Sequence, residues 1–216
     1  MSKLNKFLIA SGFIGPIIFF STVYFIFNFM VPGYDPRIDY ISEFGAADSP
    51  IRAIANVFGF SLMGVFLMLF SFGIFRAKGF NVLIKISAIL FFIGGVSIYL
   101  TGIFPGDFIC PGKIGCNGYS IRQDIHNQVS STYPFLVLTV GFILFAIGAL
   151  FLKGLRFLTP TILILGLITW WLASKSVFAY GEPPALAGLW QRAAIGVPFS
   201  IIMIIGVVLY KKLSKL

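Results

Sequence analysis

Acidic residues are scarce in this chain: seven Asp and Glu among 216 residues, against sixteen Lys and Arg and a single His. Charged residues together make up 11%, well under the roughly 25% of an ordinary soluble domain, while 58% of residues are hydrophobic and mean hydropathy is +0.98. So little charge excludes a water-soluble globular domain. One His excludes haem ligation by paired histidines and leaves a serine or cysteine triad a single base, His126, with no glycine-elbow pattern to support it. A Gly-rich phosphate loop, a dinucleotide fingerprint and an HExxH zinc signature are also absent, so no nucleotide cofactor is expected. No carboxylate lies deep in an apolar run, which disfavours coupled ion transport. The net charge of +9 reads as membrane topology rather than as a nucleic-acid partner.

What the chain has in quantity is apolar runs of membrane-crossing length, near 7–29, 53–75, 84–104, 131–152, 157–179 and 189–210, each sufficient for the roughly 20 residues a spanning helix needs. The runs are continuously apolar, not alternating, which favours helices over a barrel. The first lacks a clear cleavage site and is read as a retained span. The expectation is an all-α integral membrane protein, a single domain over 1–216 with six transmembrane helices.

Charge sorting orients it. Lys3, Lys6, Arg76, Lys78, Lys85, Lys153, Arg156, Lys211, Lys212 and Lys215 fall at the termini and on the even-numbered connections, with no acid among them. By the positive-inside rule both termini are cytoplasmic in a multi-pass cell-membrane protein. Every acid, and His126, falls on the outer side. The inner connections are short and suited to anchoring on anionic lipid headgroups, so any chemistry faces out.

In the first outer segment Asp35-Pro36 reads as an N-cap followed by a first-turn proline and predicts a short interfacial helix to about Phe44, ending at Gly45. Asp39, Ser42 and Glu43 would share one face, either solvated or folded back over the bundle. Asn56, an amide inside a span, wants an interior partner. In the second outer segment Cys110 and Cys116 fit a short disulfide loop, with zinc thiolates or free thiols as alternatives. Asp107 marks the chain's exit from span three. Ser120 and Gln123 fit a capping box that starts a helix near Ile121, running unbroken into span four. Along it His126, Ser130 and Tyr133 make one polar stripe and Asn127, Ser131 and Pro134 the next, with a kink expected at Pro134, which removes the backbone bond to the Ser130 carbonyl. At the start of span six Trp190 fits an interfacial anchor. Arg192, and Lys175 near the outer end of span five, each read as snorkelling to headgroups or pairing with an outer acid.

Ile41-Ser42-Glu43-Phe44-Gly45-Ala46 with Ser49-Pro50, Asn56, Gly102 to Asp107, His126-Asn127 and Gln191-Arg192 together resemble the prokaryotic membrane proteins catalogued as domain of unknown function 998. The resemblance covers nearly the whole chain. It implies six spans and a polar cluster on the outer side, built from Ser42, Glu43, Asn56, Asp107, His126, Gln191 and Arg192, and brings no reaction with it. The Ser-Glu-x-Gly-Ala run is also distantly similar to the eukaryotic Frag, DRAM and Sfk group. The multi-span hydrolases related to alkaline ceramidases look similar in size, but they use three His around zinc, and two would be missing here.

Three functions remain. The first is binding or scaffolding of a lipid or other amphiphile, with Lys175 and Arg192 on an anionic headgroup, Asn56, Asn127 and Gln191 as further ligand-binding residues, and Glu43, Asp107 and His126 as a network. The second is a membrane-embedded hydrolase or transferase, with Glu43, Asp107 and His126 as ligands to a divalent metal or as acid and base, and Ser42 or water as nucleophile. The third is an accessory subunit or homo-oligomer, packed through Ser11, Gly12 and Gly15 or Gly94-Gly95.

Overall fold

The computed structural model describes residues 3–106, 121–176 and 186–213. Asp107, Cys110, Cys116, Ser120 and the Glu182-Pro183-Pro184 turn lie outside them, and with them the disulfide expectation. Among the described residues all regular structure is helical. Six helices are long and apolar enough to cross a membrane: α1 (Lys3–Met30), α2 (Arg52–Arg76), α3 (Val82–Ile103), α4 (Ile121–Leu150), α5 (Arg156–Lys175) and α6 (Ala187–Leu213).

Each helix packs on its neighbours in chain order, and α6 returns against α1, so the six close into a ring. Connections as short as 77–81 and 151–155 leave room only for antiparallel neighbours. Lipid offers no hydrophobic drive between helices, so contact has to come from close approach. Gly206 of α6 sits on Gly12 of α1, where a Cβ would come within 2.9 Å of the Gly12 carbonyl carbon, and Gly64 of α2 sits on Gly95 of α3. The small residues considered for an external partner are therefore engaged inside the ring: Ser11 is buried, Gly15 lies on Phe66, and Gly94 lies on Leu138. Phe19, Phe70, Phe91, Phe142 and Phe145 fill the centre.

Toward the end that carries residues 31–51, three helices widen into π turns: Phe20–Ile26 in α1, Ala55–Ser61 in α2 and Gln128–Thr132 in α4. In α4 the cause is Pro134, which has no N–H to offer the Ser130 carbonyl. The Tyr133 N–H instead reaches the Gln128 carbonyl, the i to i+5 pattern of a π turn. In α1 the Thr22 hydroxyl donates to the carbonyls of Ile18 (2.9 Å) and Phe19 (3.2 Å), drawing them out of the regular ladder.

The segment between α1 and α2 departs from the single helix expected over residues 36 to 44. It makes one turn, closed by the Asp39 N–H on the Asp35 carbonyl (2.8 Å). Tyr40 is then extended (φ −73°, ψ 145°) and Ile41–Gly45 form a 3-10 helix. The reason lies in α6: the Arg192 guanidinium takes the carbonyls of Pro36 and Asp39, which a continuing helix would have spent on its own N–H groups.

Candidate functional site

The 31–51 segment folds over one end of the ring as a roof, held from several helices. Its first hinge is the Val31 to Tyr34 turn, where Gly33 has φ +76° and the Tyr34 N–H closes on the Val31 carbonyl. Tyr34 then stacks on Phe44 with ring centroids 4.3 Å apart. Its hydroxyl faces the carbonyls of Asp39 and Tyr40 at 3.2 and 3.1 Å, and burial pushes that hydroxyl above the ordinary phenol range.

Arg192 is the main staple. It is 8% exposed, and Nη1 donates to the carbonyls of Pro36 (2.7 Å), Asp39 (3.0 Å) and Gly188 (3.1 Å) while Nη2 donates to the Tyr34 hydroxyl (2.5 Å). The carbonyl of Arg192 in turn accepts from Tyr24 of α1 at 2.5 Å. Gly188 lets roof and helix meet, since a Cβ there would lie 2.7 Å from the Pro36 carbonyl oxygen. Both sequence readings of Arg192, headgroup and outer acid, give way to a third partner: backbone. Lys175, by contrast, is exposed on α5.

Next to it Gln191 accepts the Ile41 N–H through Oε1 at 2.6 Å. Asn56 donates through Nδ2 to the Gly45 carbonyl at 3.0 Å, which supplies the interior partner that an amide at this depth requires. Gly45 is glycine because Asn56 Oδ1 lies where its Cβ would go. On the far side the Ala47 N–H binds the Gly106 carbonyl at 3.1 Å, tying the roof to the end of α3. His126 is buried and its Nδ1 lies 2.7 Å from the Phe104 carbonyl. A carbonyl only accepts, so Nδ1 carries the proton. His126 thus ties α4 to the exit of α3, while Asn127 points outward and accepts from Gln123 at 2.9 Å.

Glu43 is 7% exposed, and among the described residues its Oε2 has no hydrogen-bond partner. Burial, reinforced by the Asp39 carboxylate, raises its pKa from 4.5 to about 7. Among the described residues no hydrogen bond joins Glu43 or Ser42 to His126, whose Nδ1 faces the Phe104 carbonyl. Among the described residues no group of three His, Cys, Asp or Glu is arranged to hold a metal ion.

Beneath the roof is a partly open cavity of about 60 Å³. Its walls are apolar, with Phe19 from α1, Phe60 from α2, Ile98 from α3, Leu138 from α4 and Ile195 and Phe199 from α6; Ser42, Thr101, Ser130 and Gln191 supply its polar groups. The π turns of α1, α2 and α4 all adjoin it. Ser42, Ser130 and Gln191 stood out in the sequence; Thr101, Tyr24, Tyr34 and Gly188 did not. The signal for Gly188 was its place one helical turn before Arg192.

A closed ring of six membrane-length helices, capped at one end by a polar roof over an apolar cavity, defines a multi-pass membrane protein. The profile of the family described as "Protein of unknown function (DUF998)" matches residues 13–208, and the chain belongs to that family. No curated protein and no solved structure matches it.

Proposed function

We propose that the protein lies in the cell membrane with both termini in the cytoplasm and the roof on the outer side, and that it binds a lipid or other amphiphile in the cavity beneath the roof. The cavity carries this reading: apolar walls drawn from five helices, with a few polar groups among them, are the composition of sites that take amphiphilic small molecules. The orientation is supported by the basic residues of the termini and of the 77–81 and 151–155 connections, and the roof then forms an interfacial cap. The roof network of Arg192, Gln191, Asn56 and His126 holds the cavity's shape and leaves the scaffold rigid around the ligand.

The test is photo-crosslinking in membranes with a single-chain diazirine lipid, comparing the native chain with Ile195→Trp, which fills the cavity. Labelled peptides from α3, α4 and α6 are expected in the first and at least fivefold weaker labelling in the second; equal labelling refutes cavity binding. Orientation is checked with an impermeant maleimide on intact cells, after replacing Cys110 and Cys116 by Ser. Labelling at Asp48→Cys but not at Ser2→Cys is expected, and the reverse pattern overturns the topology.

A further inference from the structure

The end of the ring opposite the roof carries basic side chains and no acidic one. All seven acidic residues fall between Asp35 and Glu182, in segments that leave from and return to the roof end. Asp107 and Glu182 lie in 107–120 and 177–185, and neither segment reaches across. Fourteen residues extend to about 50 Å at most, short of the roughly 60 Å needed to run down a 20-residue helix and back.

Within this basic end one turn stands apart. Between α4 and α5 the chain closes tightly, with the Leu155 and Arg156 N–H groups both on the Leu152 carbonyl (2.8 and 3.1 Å). Leu155 and Leu158 are buried and pin the turn to the core, so that Lys153 and Arg156 are left exposed together with Phe151 and Phe157, whose surfaces are 71% and 61% open. Lys212, at the end of α6, lays its ammonium on the same turn: a Cβ at residue 154 would come within 2.7 Å of Nζ, and glycine leaves it that room. Among the described residues none of these three cations has an ion pair or a side-chain hydrogen bond. The 77–81 connection is also basic but differently arranged, since the Arg76 guanidinium lies 5.4 Å over the Phe72 ring and Phe80 packs against the core.

Three like charges on one turn repel one another, and two open phenylalanine rings beside them expose apolar surface. One molecule relieves both. A phosphate accepts from the planar Arg156 fork and from two ammonium groups, and an acyl chain attached to it covers the rings. A free phosphate would answer the charges and leave the rings bare.

We propose that the turn between α4 and α5 is a binding site for an anionic phospholipid, its phosphate held by Lys153, Arg156 and Lys212 and its acyl chains lying along Phe151 and Phe157. The site is at the far end of the ring from the cavity and does not depend on the amphiphile reading of that cavity.

The experiment is native mass spectrometry of the full-length protein in detergent, titrated with dioleoyl phosphatidylglycerol, with dioleoyl phosphatidylcholine and with glycerol 1-phosphate, which has no chains. Phosphatidylglycerol is expected to be retained at least fivefold more than phosphatidylcholine, and a tenfold excess of glycerol 1-phosphate to displace little of it. Lys153→Gln, Arg156→Gln and Lys212→Gln together should abolish the preference; Arg156→Gln alone should lower it about threefold and serves if the triple variant folds poorly. Lys78→Gln with Lys85→Gln, at the other basic connection, should leave it intact. Equal retention of the two lipids, or equal loss in the control pair, overturns the site. Full displacement by glycerol 1-phosphate overturns the lipid in favour of a soluble phosphate. A preference lost in Ile195→Trp but kept in the triple variant places the lipid in the cavity and overturns the turn site while supporting the cavity one.

Discussion

Replacing Arg192 by Ala removes four hydrogen bonds at once and leaves the Pro36, Asp39 and Gly188 carbonyls and the Tyr34 hydroxyl facing a hole. A hydrogen bond involving a charged group contributes roughly 1.5–3 kcal/mol net, and a buried group left unpaired costs about 1–3 kcal/mol. Four such bonds do not add in full. The acceptors gain access to water once the roof loosens, and the native state no longer bears the cost of desolvating a guanidinium. A loss of about 3–5 kcal/mol follows, concentrated in the roof and not in the ring, because the ring's helices meet through contacts that do not involve the side chain of residue 192, and the Arg192 carbonyl that accepts from Tyr24 remains in the variant. Arg192→Lys keeps the charge but presents one ammonium where a planar fork spans two carbonyls and a phenol, and should recover about half. Reversible unfolding in mixed SDS micelles gives the global figure, and amide hydrogen exchange at residues 34–47 gives the local one. Exchange at 34–47 should rise by at least a hundredfold in the Ala variant, while α3 and α4 stay protected. Unchanged exchange in the roof, or equal loosening of the whole ring, would refute Arg192 as its staple.

Two other outcomes follow from the same geometry. Glu43, whose pKa is raised from 4.5 to about 7 by burial, binds its proton more tightly folded than unfolded, so its contribution to stability is fullest below pH 4.5 and is lost as pH rises through 7, by roughly 3 kcal/mol at most; Glu43→Gln should flatten the stability profile between pH 4.5 and 7, and a slope that persists in that variant removes Glu43 as its source. Gly188→Ala puts a Cβ about 2.7 Å from the Pro36 carbonyl oxygen and should cost about 2 kcal/mol in the same micelle titration, in keeping with overpacking at a backbone contact; a neutral effect would mean that the roof shifts freely on α6.

The six helices were legible because spanning requires a property that survives in composition, about 20 apolar residues together, whatever the neighbours do. The proline at 134 was a local signal too, and the regular ladder is interrupted just before it, over 128–132; the capping signal at Ser120 lies outside the described residues. The roof was legible only in part. Asn56 announced that it needed an interior partner, and it has one. The Asp35-Pro36 signal called for a helix, and one turn of it forms. What stopped that helix is a guanidinium more than 150 residues away, and no window of sequence around residue 36 contains it. Arg192 itself was weighed against lipid and carboxylate because those are the partners that charge suggests, whereas it is satisfied by neutral carbonyls brought within reach by a glycine one turn earlier. The cavity was hidden for a related reason: its walls come from α1, α2, α3, α4 and α6, and each contributing residue is an ordinary member of an apolar stripe.

The π turns carry a consequence for how such a protein can change over time. A π turn holds one more residue than the α turn it replaces, and each residue of an α-helix turns the chain by about 100°. Removing a single residue from 55–61 or 128–132 would restore a regular helix and swing everything beyond it, Asn56 or His126 among them, a quarter turn or more to a new face. The halves of α2 and α4 on the other side of the turn would keep their place on Gly95 and on the central phenylalanines. Gain or loss of one codon is therefore a coarse adjustment of the ligand chamber that spares the frame around it, and descendants with differently lined chambers on the same six-helix ring are within a single step.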